Sequence, residues 1–195
     1  MIRKAILTML SLISVLLLVA GATLVYAANV EKPKYKVIER DGKIEIRQYP
    51  ALRVAEIKRE GNRGKAVRNA FRPLASYIFA KKREGEKISM TAPVTQQKSG
   101  GDWAIQFIMP SKYKLSDLPK PDNAEVRLRE IPAKKRVAIQ FNGVQTDELL
   151  QAKEKELRAW LKIRGITPKG QPLYAYYNDP FTPGFMRRNE VLFEM

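Results

Sequence analysis

Apolar residues fall into three kinds of run along the chain, and each kind predicts a different element. The first run is unbroken. From Ala5 to Ala28 no charge interrupts a mostly apolar stretch centred on Leu16, Leu17, Leu18 and Val19, and Arg3 and Lys4 precede it. A short basic start before such a run is the pattern of an export signal, and the run is also long enough for a membrane-spanning helix. Residues 1–27 are therefore expected to be a signal peptide or an N-terminal membrane anchor, with Val25 and Ala27 as the small residues before a cut ahead of Ala28. A retained helix with Arg3 and Lys4 on the inside agrees with the charge rule for orientation. Either reading places the rest of the chain outside the cytoplasm, periplasmic or secreted, or tethered to the membrane. Residues 28–34, with Pro33, read as a short linker.

The second kind of run alternates, as strands do. Tyr35 to Arg47 reads as a bent pair of strands turning at Asp41-Gly42, with Val37, Ile44 and Ile46 as inward positions. Tyr49-Pro50 interrupts it, and Leu52, Val54 and Ile57 support a further strand. Ile88 to Val94 is a short segment. Trp103, Ile105, Phe107 and Met109 alternate after the turn at Lys98 to Asp102. Later, Val126 and Leu128, then Val137, Ile139 and Phe141, then Leu173 to Tyr177 and Glu190 to Glu194 read the same way.

The third kind recurs every three or four residues and predicts two helices. In Asn62 to Lys82 the apolar face is Val67, Ala70, Phe71, Leu74 and Ile78, and Pro73 predicts a kink or an early restart. In Gln145 to Arg164 the stripe is Leu150, Leu157, Trp160 and Leu161, with Thr146 placed to cap the start and Gly165 to end it. The order repeats. Glu45 to Pro50 resembles Arg127 to Pro132, and each is followed by a similar strand (Arg53 to Ile57 and Arg136 to Gln140) and then a helix. The fold class expected is α+β, with duplicated strand-strand-helix-strand-strand halves forming antiparallel sheets, each carrying a helix. Leu115 to Asn123 joins the halves.

Composition narrows what such a domain can do. The 195 residues include 36 Lys and Arg against 20 Asp and Glu, a formal charge of +16. Arg3 and Lys4 supply only two of those units, so the folded part is strongly basic. That favours anionic partners: a membrane surface, a polyanion or a carboxylated small molecule. The chain contains no Cys and no His. Disulfides, thiol nucleophiles, Ser-His-Asp triads and His-ligated metal sites are thereby excluded. Phosphate-loop, nucleophile-elbow and dinucleotide-binding glycine motifs are also missing. No catalytic residue and no metal ligand is expected, and no nucleic-acid partner, since no reader module is present.

One part of the first helix invites a binding role. Arg68 and Arg72 lie one turn apart beside Phe71 and Ala75, an arrangement suited to the polar rim of an apolar groove. Such a groove fits a flat ligand carrying carboxylates, because a guanidinium pairs with a carboxylate through two bonds. A solvated basic helix face is the plainer reading of the same residues. Tyr177 to Phe185 gathers Pro, Gly, Asp and exposed aromatics into a loop of the kind that borders binding grooves.

Several segments together resemble the SOUL heme-binding protein family: Tyr35 to Glu39, Ile44 to Tyr49, Ile88-Ser89-Met90-Thr91-Ala92-Pro93-Val94, and the closing Tyr177 to Val191 with its Arg187-Arg188-Asn189-Glu190-Val191. The resemblance covers Pro33 to Met195 and implies a domain over residues 35–195 of the duplicated kind also seen in bacterial effector-binding domains. It further implies heme or a related tetrapyrrole, bound without catalysis in a groove beside the first helix and serving transport or buffering. Carried onto this chain, the groove is Arg68, Phe71, Arg72, Ala75, Ile78 and Phe79, closed by the loop around Tyr177 and Phe181. Some members are thought to ligate heme iron through a histidine, which this chain lacks, leaving Met, Tyr or no protein ligand at all. Two other readings stay open: a binder of another amphipathic anion or lipid, and an envelope-associated structural protein resting on anionic lipid.

Overall fold

Gly42 adopts φ 55° between two short extended runs, and this turn starts the chain's first hairpin. In the computed structural model, which describes residues 30–195, strands β1 (Lys36–Asp41), β2 (Ile44–Tyr49) and β3 (Leu52–Arg59) lead to helix α1 (Arg63–Ile78). Strands β4 (Val94–Ser99) and β5 (Asp102–Ile108) complete the first repeat. The second comprises β6 (Arg127–Ile131), β7 (Lys134–Asn142), α2 (Asp147–Ile163), β8 (Lys169–Tyr176) and β9 (Arg188–Glu194). The expected leader lies outside the described residues, and among those described no helix is long and apolar enough to cross a membrane.

The strands form one antiparallel sheet in the order β1-β2-β7-β9-β8-β4-β5-β3-β6. The halves thus share a sheet, and each gives its leading strand to the other: β2 pairs with β7, and β6 with β3. The registers agree except at β8–β9, where a shift falls between Lys169 and Leu173 that β4–β5 lacks. Ile46 faces Val137 while Leu128 faces Ala55, and those two face Phe193 and Phe107. The pair Gln96–Tyr174 maps onto itself, so a pseudo-two-fold axis passes between β4 and β8. One expectation is corrected here. Arg53 to Ile57 and Arg136 to Gln140 match by letter but are one residue out of step, since Ala55 points under α1 whereas Ala138 points to the opposite face. A one-residue slip exchanges the two faces of a strand.

Alternation does place the helix-side core. Ala55, Ile57, Ile105 and Phe107 meet Ala70 and Leu74 of α1. Val137, Ile139, Val191 and Phe193 meet Leu150 and Leu157 of α2. Each fully buried leucine of these helices contributes about 1.5–3 kcal/mol. Trp103 packs against both clusters and joins them. Val37, expected inward, is 37% exposed, because β1 is the sheet's edge strand.

Thr146 caps α2 as the sequence predicts, its Oγ1 accepting from Leu149 N, whereas Asn62, expected inside the first helix, caps it, its Oδ1 accepting from Lys65 N. Helix α1 runs as one element through Pro73 but stops at Ile78, four residues before Lys82. Beyond it Arg83 folds back, donating to the carbonyls of Tyr77, Glu84 and Glu86 at 2.8 Å each. Of Ile88 to Val94 only the last residue is in a strand. Glu31 is fastened beside that segment, accepting from Ala92 N and, through its carboxylate, from Ser111 N.

Candidate functional site

The first helix divides its polar and apolar surface between two flanks. Ala66, Ala70, Leu74, Tyr77 and Ile78 turn inward. Arg68 and Arg72 rise on the crest and line an open cleft of about 810 Å3 on the outer flank, with Arg59, Lys81 and Lys82. Arg59 is spent on Glu125 through two bonds of 2.7 and 2.8 Å. Arg68, Arg72, Lys81 and Lys82 have no carboxylate partner among the described residues, and Asp122 is the acid in the lining. The cleft therefore carries a net positive field, which low-dielectric walls focus on an anion.

The other flank is aromatic. Phe71 is 48% exposed and meets Phe107 of β5 edge to face, ring centroids 5.7 Å apart. Ala75 lies half-buried on this side, and Phe79 stands exposed at the C-terminal cap. Ile78 does not line a surface. It is 2% exposed and belongs to the core, because the residue at that helical step faces the sheet.

The loop between β8 and β9 is cross-bonded along its length. Asp179 accepts from the N–H groups of Phe181 and Thr182 and from the Thr182 hydroxyl. Burial works to raise its carboxyl pKa, but these donors outweigh it and hold the group below the usual range. Arg187 donates to the carbonyls of Thr182 and Pro180 and to Gln145. So pinned, the loop presents Phe181, 93% exposed, together with Phe185 and Met186. Val94 of β4 pairs with both Phe107 of β5 and Tyr176 of β8, so one strand separates the root of the loop from the strand that Phe71 covers.

Tyr177 is elsewhere. Alternation puts it on the helix-free face, beside Tyr49 and Leu192, where its hydroxyl donates to Glu190 at 2.8 Å. The structure thus gathers Arg68 and Arg72 in the cleft, sets Phe71, Ala75 and Phe79 along the helix, and sends Ile78 and Tyr177 away.

Sequence patterning missed two arrangements. Arg63, the first residue of α1, is an internal tie: its guanidinium donates to Asp147 (2.6 Å), the Gln145 carbonyl (2.9 Å), Tyr176 (3.1 Å) and Gln96 (3.3 Å), fastening α1 to α2 and the central strands. On the helix-free face, Arg47 donates twice to Glu190, at 2.8 and 3.0 Å, and to Glu45 at 2.7 Å. Burial works against the Arg47 charge, but the bonds to Glu190 outweigh it and strengthen its hold on the proton. Strand alternation is the signal that places these residues opposite the helices, yet it does not show that this face is covered as well.

The donor set fits a macrocycle better than its iron. Aromatic flank and unpaired guanidinium groups suit an apolar ring with carboxylate arms. No imidazole or thiolate exists in the chain, and no cluster of metal-ligating acids occurs among the described residues. Burial pushes the phenols of Tyr174, Tyr176 and Tyr177 up, and their oxygens are engaged with Glu154, Arg63 and Glu190. A phenolate ligand is disfavoured there. The thioethers of Met90 and Met186 are exposed.

A duplicated α+β sheet with a helix on each half and a basic cleft beside the first helix defines a ligand-binding class of domain. The chain belongs to the SOUL heme-binding protein family, whose pattern matches residues 30–194. Human heme-binding protein 2 is 29% identical over 178 residues, covering 85% of this chain and 86% of that protein. The mouse protein of the same name is 27% identical over 175 residues, covering 83% and 84%. Among solved structures, the C-terminal domain of EcmrR superposes with a TM-score of 0.61 at 13% identity, covering 82% of this chain and 96% of that one. A hydrolase from Listeria innocua gives 0.51 at 13%, covering 84% and 91%. At such identities the likeness is one of fold alone.

Proposed function

We propose that the chain binds heme or a related tetrapyrrole along α1 without catalysing a reaction on it. The ring lies against Phe71, Ala75 and Phe79, its carboxylates pair with Arg68 and Arg72, and the Phe181 loop borders the other side. The observation that carries this reading is an exposed aromatic ring, braced by Phe107, next to two partner-free guanidinium groups one helical turn apart. No protein side chain ligates the iron. The apolar run at residues 1–27 supports a site of action outside the cytoplasm, either free after cleavage or tethered, in transport or buffering of the ligand.

Titrating the Ala28 to Met195 fragment with heme and with iron-free porphyrin, read by visible absorption, tests this directly. Both are expected to saturate with similar affinity, and the heme complex to be high-spin or to exchange its ligand readily. A low-spin spectrum lost on changing Met90 or Met186 would overturn the unligated mode, and saturation by neither at micromolar concentration would overturn tetrapyrrole binding.

The strongly cationic lining of the outer cleft favours a second reading, an amphipathic anion other than a tetrapyrrole. Either ligand is expected to lose about ten-fold or more affinity in Arg68→Glu and little in Lys153→Glu on α2. A protein that merely rests on anionic lipid would lose membrane binding equally in both, with strong salt dependence.

A further inference from the structure

The helix-free face of the sheet holds a second concavity, remote from α1. It encloses about 210 Å3 and takes its walls from both repeats. Its origin lies in the duplication. The strand registers make Arg129 the counterpart of Arg47 and Ala104 the counterpart of Glu190. In one half the Glu190 carboxylate fills the space beside Arg47. In the other a methyl group stands at that place, and the space stays open over Ala104, Leu173 and Leu192.

The charges around this opening do not balance. Glu56 is occupied by Arg129, at 2.8 and 3.0 Å, and by the Gln106 amide at 2.7 Å. Glu194 is held by Lys134. Arg136 of β7 is left over. It lines the cleft, donates no hydrogen bond and has no carboxylate partner among the described residues. The Tyr49 ring lies 5.6 Å away, and its neighbour across β2 is Arg47, a second cation already committed to Glu190 and Glu45. Burial pulls the Arg136 pKa down, with Tyr49 and Glu194 opposing, yet a guanidinium stays charged at neutral pH. Arg136 is half-buried and the carboxylate across from it, Glu194, is shared with Lys134, so an anion entering the cleft supplies the counter-charge that this cation lacks for itself.

We propose that this cleft is a small-anion site in which Arg136 pairs with a carboxylate or a tetrahedral oxyanion. The Ser99 hydroxyl and the Gln171 side-chain amide, both in the lining, are further donors. Its volume suits an acetate- or phosphate-sized group and is too small for the tetrapyrrole assigned to α1.

The test uses the full chain in a non-ionic detergent, with the thermal midpoint followed against phosphate, acetate and chloride at constant ionic strength. Phosphate or acetate is expected to raise the midpoint saturably where chloride does not, and the one acting at lower concentration shows whether the site prefers a tetrahedral or a planar group. The apparent affinity is expected to fall about ten-fold or more in Arg136→Gln. It should recover in part in Arg136→Lys, rise in Glu194→Gln, which frees Lys134, and stay unchanged in Arg68→Ala. Equal stabilisation of wild type and Arg136→Gln, or no anion better than chloride, would overturn the proposal. Should Arg136→Gln not fold, opposite shifts in Arg136→Lys and Glu194→Gln are still required, and their absence is equally decisive.

Discussion

At the scale of single residues, the buried ion network has the clearest consequence for stability. Glu190 has no solvent exposure, and it accepts from Arg47, Arg188 and Tyr177. Burial tends to raise its pKa, but Arg47 and Arg188 prevail and hold the carboxyl below its usual range. A depressed folded pKa means stability that is present above the unfolded value, about 4.3, and lost as pH falls through the folded value. The protein is expected to resist acid to about pH 4 and to weaken below it. Glu190→Gln removes that dependence and leaves Arg47 half-partnered in the interior, at a cost of about 3–5 kcal/mol at neutral pH. Urea unfolding of both proteins at pH 7 and pH 3 checks this, and a loss below about 1 kcal/mol at pH 7 would contradict it. None of this network was legible beforehand. Ile44 and Ile46 correctly marked the helix-facing side of β2, but alternation says nothing of what meets Arg47 on the other side, and only the contacts of Tyr49, Ala138 and Leu192 show that this side is closed too.

Elements were legible where local rules act alone. The cap Thr146, the turn at Gly42 and the alternation from Trp103 to Phe107 all carry their own signal, and the structure has them as the sequence implies. What needs a partner strand was not legible. The Arg-Val-Ala letters shared by β3 and β7 suggested a register that pairing with β6 and β2 shifts by one residue. The end of α1 was also hidden, because Arg83 closes it by bonding to the Tyr77 carbonyl six positions back. Of the candidate site, Arg68, Arg72 and Phe71 fell on reachable surface, whereas periodicity placed Ile78 within the apolar stripe and the structure confirms its burial. Pro73 gives a test at this scale. It lies inside α1, where its missing N–H forgoes a bond to Asn69. Pro73→Ala is expected to stabilise the domain by about 1–2 kcal/mol, after allowing for the greater freedom it gives the unfolded chain. Chemical denaturation measures this, and a net loss would mean that the ring's packing along the cleft outweighs the recovered bond.

The whole molecule is held together by the exchange of leading strands. Because β2 lies against β7 and β6 against β3, neither repeat owns a complete sheet, and the β4–β8 pairing joins the two at the pseudo-two-fold axis. Trp103 and the Arg63–Asp147 pair add contacts across the same boundary on the helix side. Separating the halves leaves β1 and β2 as a lone hairpin, which is marginal in water, and exposes the edges of β4, β7 and β8. A chain divided between Lys114 and Leu115 is therefore expected to give two fragments without a cooperative thermal transition, and mixing them should restore one. Intact, the domain is expected to unfold in a single step despite its duplicated plan, because the elements of each half are completed by the other. Circular dichroism on each fragment and on their equimolar mixture decides it: a sharp transition in either fragment alone would show that the repeats are independent and that strand exchange only decorates them.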